Sequence, residues 1–208
     1  MKLFKIIICI VIGYLIGSLN PAALIGKIKN TNLRKQGTGN LGATNVMLLF
    51  GKAYGALVMF FDMAKAFLAV KIAQLLSPGF VFAGIAAGSA AVVGHIYPIY
   101  MKFKGGKGLA PYAGMVLALD PLLFLFLLAF CVTLMIIANY SVALPWSAGI
   151  LFPSISIFRT DSLPYVIIAF CISALIMYKH FPNLIKAIHK EDVQVRGYIK
   201  KMFQRKAH

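Results

Sequence analysis

Carboxylates are scarce in this chain. Its 208 residues hold five: Asp62, Asp120, Asp161, Glu191 and Asp192. None forms a His-x4-Asp dyad, a carboxylate pair suited to acid–base work, or a metal cluster. Cysteine is nearly as rare, and Cys9, Cys131 and Cys171 each lie inside an apolar run. They lack metal-ligand spacing and evident partners, so they read as small buried hydrophobes. His95, His189 and His208 are not at ligand spacing either. No metal and no cofactor are therefore expected. No serine sits on a nucleophile elbow, and no Gly-Lys-Ser/Thr completes a Walker A loop. Any reaction run by such a chain must rest on positioning and electrostatic stabilisation. A substrate that brings its own leaving group would suit it.

Apolar residues make up 61% of the chain, with a mean hydropathy of +0.85. Soluble domains of this length rarely exceed half apolar. The apolar residues also fall in long runs, which points to one integral membrane domain spanning 1–208 with no separate soluble domain. Against the five acids stand 21 Lys and Arg, for a net charge of +16. Nucleic acid, anionic lipid and an anionic substrate compete as the reason. Nucleic acid is excluded as a partner, because the basic residues sit in short loops without aromatic interleaving or a folded module.

The runs predict seven membrane helices and an all-α fold. The first covers Met1 to Ile25 and contains the kink-prone Asn20-Pro21. A polar loop from Lys27 to Lys52 follows, then helices over Ala53–Leu76, Phe80–Tyr100, Leu109–Leu119, Leu122–Ala138, Val142–Phe158 and Leu163–Tyr178. Pro145 and Pro153 interrupt the sixth. Lys179 to His208 form a basic tail facing anionic lipid. Asp62 and Lys65, three residues apart, share a face of the second helix, either as a structural pair or as a brace for a catalytic loop. With the first loop inside, Lys2, Lys5 and Arg159 alone fall outside, while Lys65 and Lys71 stay within a span. The positive-inside rule then puts the N-terminus outside, and both polar loops and the tail in the cytoplasm.

Two loops and the start of the tail thus converge on one face. In the first, Arg34 to Gly51, the residues Gly37, Gly39 and Gly42 can bring backbone N–H groups close to an anion. Thr38, Asn40, Thr44 and Asn45 add short hydrogen-bonding side chains, and Arg34 and Lys35 add charge. In the second, Lys102, Lys104 and Lys107 alternate with Gly105, Gly106 and Gly108 around Phe103. A plain glycine turn would explain either loop alone; two of one character on one face favour a phosphate or acyl-phosphate cradle. His180 sits at the water boundary of the last helix. Asn183 joins its face only if the helix continues past Pro182, which Pro182 opposes at Phe181.

The segments GSLNPAALIGKIKNTNLRKQGTGNLGATNV, DMAKAF, GHIYPIYMKFKGGKGLA and YKHFPNLIK resemble the bacterial acyl-phosphate-dependent glycerol-3-phosphate acyltransferases. The resemblance spans nearly the whole chain. It implies a multi-pass protein of the bacterial inner membrane with a cytoplasmic active site, using no metal. It further implies acyl transfer from acyl phosphate to the 1-hydroxyl of glycerol 3-phosphate, giving lysophosphatidic acid for phospholipid synthesis. By motif, Thr38, Asn40, Lys107 and His180 carry the catalytic roles. Gly37, Gly39, Gly42, Thr44, Asn45, Lys104, Gly105, Gly106 and Asn183 bind substrate. The chain departs from the pattern at Leu48, where the family usually has a phosphate-contacting arginine. It departs again at 139–145, at Pro111 and at Pro182. These departures keep open a second reading, a membrane protein that binds or moves a phosphate ester without chemistry.

Overall fold

The computed structural model describes residues 2–191 and 194–197, and among them the architecture is all-helical. Helix α1 (Lys2–Ser18) breaks at Leu19, and α2 (Pro21–Ile28) restarts at once. The restart is written locally. Asn20 Oδ1 accepts the Ala23 N–H at 2.8 Å, and Pro21 sits at the first helical position, where no N–H is needed. The polar loop is shorter than the sequence suggests, because α3 (Ala43–Phe50) occupies its second half. Gly51, at φ +94°, turns α3 into α4 (Lys52–Leu76). Helix α5 (Val81–Ile96) ends in a 3-10 turn at Ile99–Met101, ahead of the second loop. Helices α6 (Leu109–Leu119), α7 (Pro121–Ala138), α8 (Ala143–Arg159) and α9 (Leu163–Ile188) follow.

The prolines behave unevenly. Pro145 lies in the first turn of α8, where the N–H groups have no helical partner to lose. Pro153 lies inside α8 and Pro182 inside α9, and neither stops its helix. Burial of His180 before Pro182 and of Ala187 after it holds both halves of α9 against the bundle, which outweighs the lost backbone bond. The last helix therefore runs ten residues beyond the boundary expected at Tyr178, and the start of the basic tail is helical.

Helix α5 is buried at the centre, touching α1, α4, α6 and α9. Small residues make this possible. A Cβ on Gly17 would lie 2.1 Å from the Ala91 carbonyl oxygen, and one on Gly94 would lie 2.3 Å from that of Tyr14, so α1 and α5 meet backbone to backbone. Deeper in, Tyr112 packs edge-on against Phe152 and shares a 2.7 Å hydrogen bond with Ser173. Four stretches of the described residues are long and apolar enough to cross a membrane: Leu3–Ile28, Val81–Met101, Pro121–Ala138 and Leu163–Ile188. Of these Val81–Met101 is 72% buried, whereas Pro121–Ala138 is 17% buried and turns Leu122, Leu125 and Phe126 outward. An outer surface of that kind suits lipid.

Candidate active site

The first loop is held from beneath by one side chain. Asn45 is fully buried; its Oδ1 accepts the Thr38 N–H at 2.8 Å, and its Nδ2 donates to the Leu33 and Gln36 carbonyls at 2.9 and 3.2 Å. The motif placed Asn45 among substrate contacts; here its donors and acceptor are committed to the loop backbone. Gly37, at φ +58°, fits over it, since a Cβ there would sit 2.2 Å from Asn45 Oδ1. Leu33 and Leu41 pin the loop into a small core with Ala22, Ile25, Val46 and Val58. Thr38 and Thr44 remain exposed, as do Arg34, Lys35, Gln36 and Gly37, and Asn40 is partly exposed. The loop then enters α3 through Gly42, an N-cap with no side-chain hydrogen bond.

The second loop follows the same plan. Gly105 N–H donates to the Ile96 carbonyl at 2.9 Å and Gly106 N–H to the His95 carbonyl at 3.1 Å, so both are taken by backbone rather than left for an anion. Lys102 and Phe103 adopt left-handed conformations at φ +53° and +57°, costing about 1–2 kcal/mol each. Nothing in the sequence announced that pair. The loop enters α6 through Gly108, again an N-cap without a side-chain partner. Lys104 stays exposed and Lys107 half-buried.

Three contacts bring the segments together. The Arg34 guanidinium donates to the Lys104 carbonyl, joining the loops at their rims. A Cβ on Gly106 would lie 2.2 Å from His95 Nε2 and 2.7 Å from the Leu41 carbonyl oxygen, so the loops also meet at their bases. Lys107 Nζ donates to Asn183 Oδ1 at 2.6 Å, tying the second loop to α9. Because α9 continues through Pro182, His180 and Asn183 share a face, as required. His180 Nδ1 lies 2.9 Å from the Ile176 carbonyl, which makes Nδ1 the protonated nitrogen and leaves Nε2 a hydrogen-bond acceptor.

Other residues escaped the sequence reading. Asp62 and Lys65 do pair, at 2.7 Å, but the pair extends to His95, whose Nδ1 lies 2.8 Å from Lys65 Nζ and 3.2 Å from Asp62 Oδ1. Only the GHIYP context ahead of the second loop could have flagged His95. Arg196 falls in the basic tail expected to face anionic lipid. It instead donates from Nε and Nη2 to the Ile136 and Ile137 carbonyls at 3.0 and 2.8 Å, at the end of α7. Tyr140 and Gln194 form an antiparallel bridge beside it. The divergent 139–145 turn is thus where residues 194–197 dock. Leu48, four residues after Thr44 on the same face of α3, is 51% exposed. Pro111 is buried in the first turn of α6, where it costs no helical bond. Among the described residues no group of His, Cys, Asp or Glu could hold a metal.

Known proteins place this arrangement. The glycerol-3-phosphate acyltransferase family profile matches residues 7–190. A glycerol-3-phosphate acyltransferase of Geobacillus kaustophilus is 34% identical over 189 residues, covering 90% of this chain and 94% of its own. One from Thermosipho melanesiensis is 35% identical over 191 residues, covering 91% and 93%. The crystal structure of PlsY (YgiH), an integral membrane glycerol 3-phosphate acyltransferase in its glycerol 3-phosphate form, superposes with a TM-score of 0.87 at 32% identity, covering 95% of this chain and 98% of that one. Its lysophosphatidic acid form gives 0.82. The chain belongs to the glycerol-3-phosphate acyltransferase family.

Proposed function

We propose that this protein transfers a fatty acyl group from acyl phosphate to the 1-hydroxyl of glycerol 3-phosphate, releasing lysophosphatidic acid and inorganic phosphate. The observation that carries the reading is that two glycine loops, each opening into an uncapped helix N-terminus, meet through Arg34 and the Lys104 carbonyl, with the second clasped to α9 by Lys107–Asn183. Such helix ends present free N–H groups and a partial positive charge, which suits two phosphates better than one neutral ligand.

Thr38, Asn40 and Thr44, with the backbone N–H groups of Gly37 and Gly42, would hold one phosphate at α3, while the Gly39 N–H is taken by the Gln36 carbonyl at 3.0 Å and shapes the turn. Lys104 and Lys107 would hold the other at α6. Gly105 and Gly106 shape the second loop, and Asn45 braces the first. His180 Nε2, an acceptor, would take a hydrogen bond from a glycerol hydroxyl and aim it, with Asn183 beside it. In the transfer the hydroxyl oxygen attacks the acyl carbon, the carbon–oxygen bond to phosphate breaks, and the hydroxyl proton leaves on the phosphate. Lys107 offsets the charge that develops on the carbonyl and the leaving phosphate. No protein carboxylate is required.

Seven crossings belong to this reading, with the N-terminus outside and the loops in the cytoplasm, in a bacterial inner membrane. Charge supports it: the loop and tail cations lie on one side of that arrangement. Leu48 favours a second reading, phosphate-ester binding without turnover, because exposed methyl groups stand where a guanidinium would grip phosphate. Lys107→Ala and Asn40→Ala, purified in lipid, separate the two. Acyl transfer predicts loss of lysophosphatidic acid formation in both. Turnover retained in both would refute the cradle, and no turnover in wild type beside intact phosphate-ester binding would favour the second reading.

A further inference from the structure

The cluster of Asp62, Lys65 and His95 lies outside the cradle, and all three side chains are buried, at 1%, 6% and 3% exposure. Buried ion pairs are weak evidence of stability, since apolar residues of similar volume often serve as well. Its geometry suggests another use. An ammonium has three protons. Lys65 Nζ has three acceptors, the Leu19 carbonyl at 2.8 Å, Asp62 Oδ1 at 2.7 Å and His95 Nδ1 at 2.8 Å. This set assigns His95 the Nε2–H tautomer, so Nδ1 and Asp62 Oδ1 share one donor.

Each outer arm leads to a different loop. Leu19 precedes Asn20, whose Nδ2 reaches the Leu41 carbonyl of the first loop at 3.4 Å. His95, on the other arm, receives the Gly106 N–H of the second. Between them, at Gly106, there is no room for even a methyl group. We propose that Lys65 is a positioning residue: its ammonium fixes α1 to α5 and thereby sets the separation of the two loops and their affinity for a phosphate ester. The link to affinity rests on the proposed function; the link between loops does not.

The test uses the full chain in lipid nanodiscs. Amide exchange is followed in peptides covering 36–46 and 102–109, alongside KM and kcat for glycerol 3-phosphate. His95→Leu removes one acceptor, His95→Asn restores an acceptor near the Nδ1 position, and Asn20→Ala cuts the opposite arm. Coupling predicts that Asn20→Ala, which uncaps α2 and of the two loops touches only the first, speeds exchange in the second as well. It predicts that His95→Leu raises KM about tenfold with a smaller change in kcat per folded molecule, and that His95→Asn recovers most of it. Exchange confined to the loop each arm touches would overturn the proposal, even with activity lowered through misfolding. If wild type shows no turnover, the functional reading fails and the exchange data still decide the coupling. If His95→Leu does not fold, His95→Asn and Asn20→Ala carry the test.

Discussion

Lys107 is half-buried at the mouth of α6 and holds Asn183 at 2.6 Å. Removing it takes away both the clasp to α9 and the charge that the proposed reaction assigns to the phosphates. Lys107→Ala is therefore expected to lower kcat by about a hundredfold or more, measured as lysophosphatidic acid formed per folded molecule, with thermal unfolding near that of wild type. Asn45→Ala should do the reverse. It strips three hydrogen bonds from the loop, costing about 1–3 kcal/mol, and should appear first as a lower unfolding midpoint in detergent. Equal loss of activity with unchanged stability in Asn45→Ala would make it a substrate ligand after all. The sequence showed that these residues belong together, because short polar side chains between glycines have few other uses. It did not show which would face the ligand and which would face the loop. That division depends on Asn45 lying in the first turn of α3, a helix hidden within a polar, glycine-rich stretch.

At the scale of elements, long apolar periodicity made the major helices legible, and their ends were not. Pro182 argued for a stop that tertiary packing overrode. Residues 194–197 read as part of a lipid-facing basic tail because the partners of Arg196, the last carbonyls of α7, are some sixty positions away. Arg196→Ala should loosen the end of α7 by about 1 kcal/mol, read as faster exchange at residues 136–140. Unchanged exchange there would return the segment to solvent. At the opposite end of α7, Asp120 Oδ1 caps the helix through the Leu123 N–H, and the carboxylate pairs with Arg159. Partial burial pushes its carboxyl pKa up, but that hydrogen bond and the guanidinium outweigh this and hold it below the usual range. A depressed folded-state pKa contributes stability above the unfolded value, about 3.9, and loses it as pH falls through the folded one. Asp120→Asn keeps a good N-cap. Its unfolding midpoint should therefore fall less steeply than that of wild type below about pH 4. Parallel curves would mean the charge does not matter.

The whole molecule carries a net charge of +16 with five acids, a poor endowment for acid–base chemistry and a good one for gathering phosphates. The proposed reaction asks only for tasks such a composition can perform: to hold two anions side by side, to aim a hydroxyl, and to let a phosphate leave with the proton. The most direct measurement supplies purified protein in lipid with glycerol 3-phosphate and either acyl phosphate or acyl-CoA, and quantifies lysophosphatidic acid. Product from acyl phosphate and none from acyl-CoA is the predicted result. Product from acyl-CoA alone, or none from either donor while phosphate esters still bind, would contradict it.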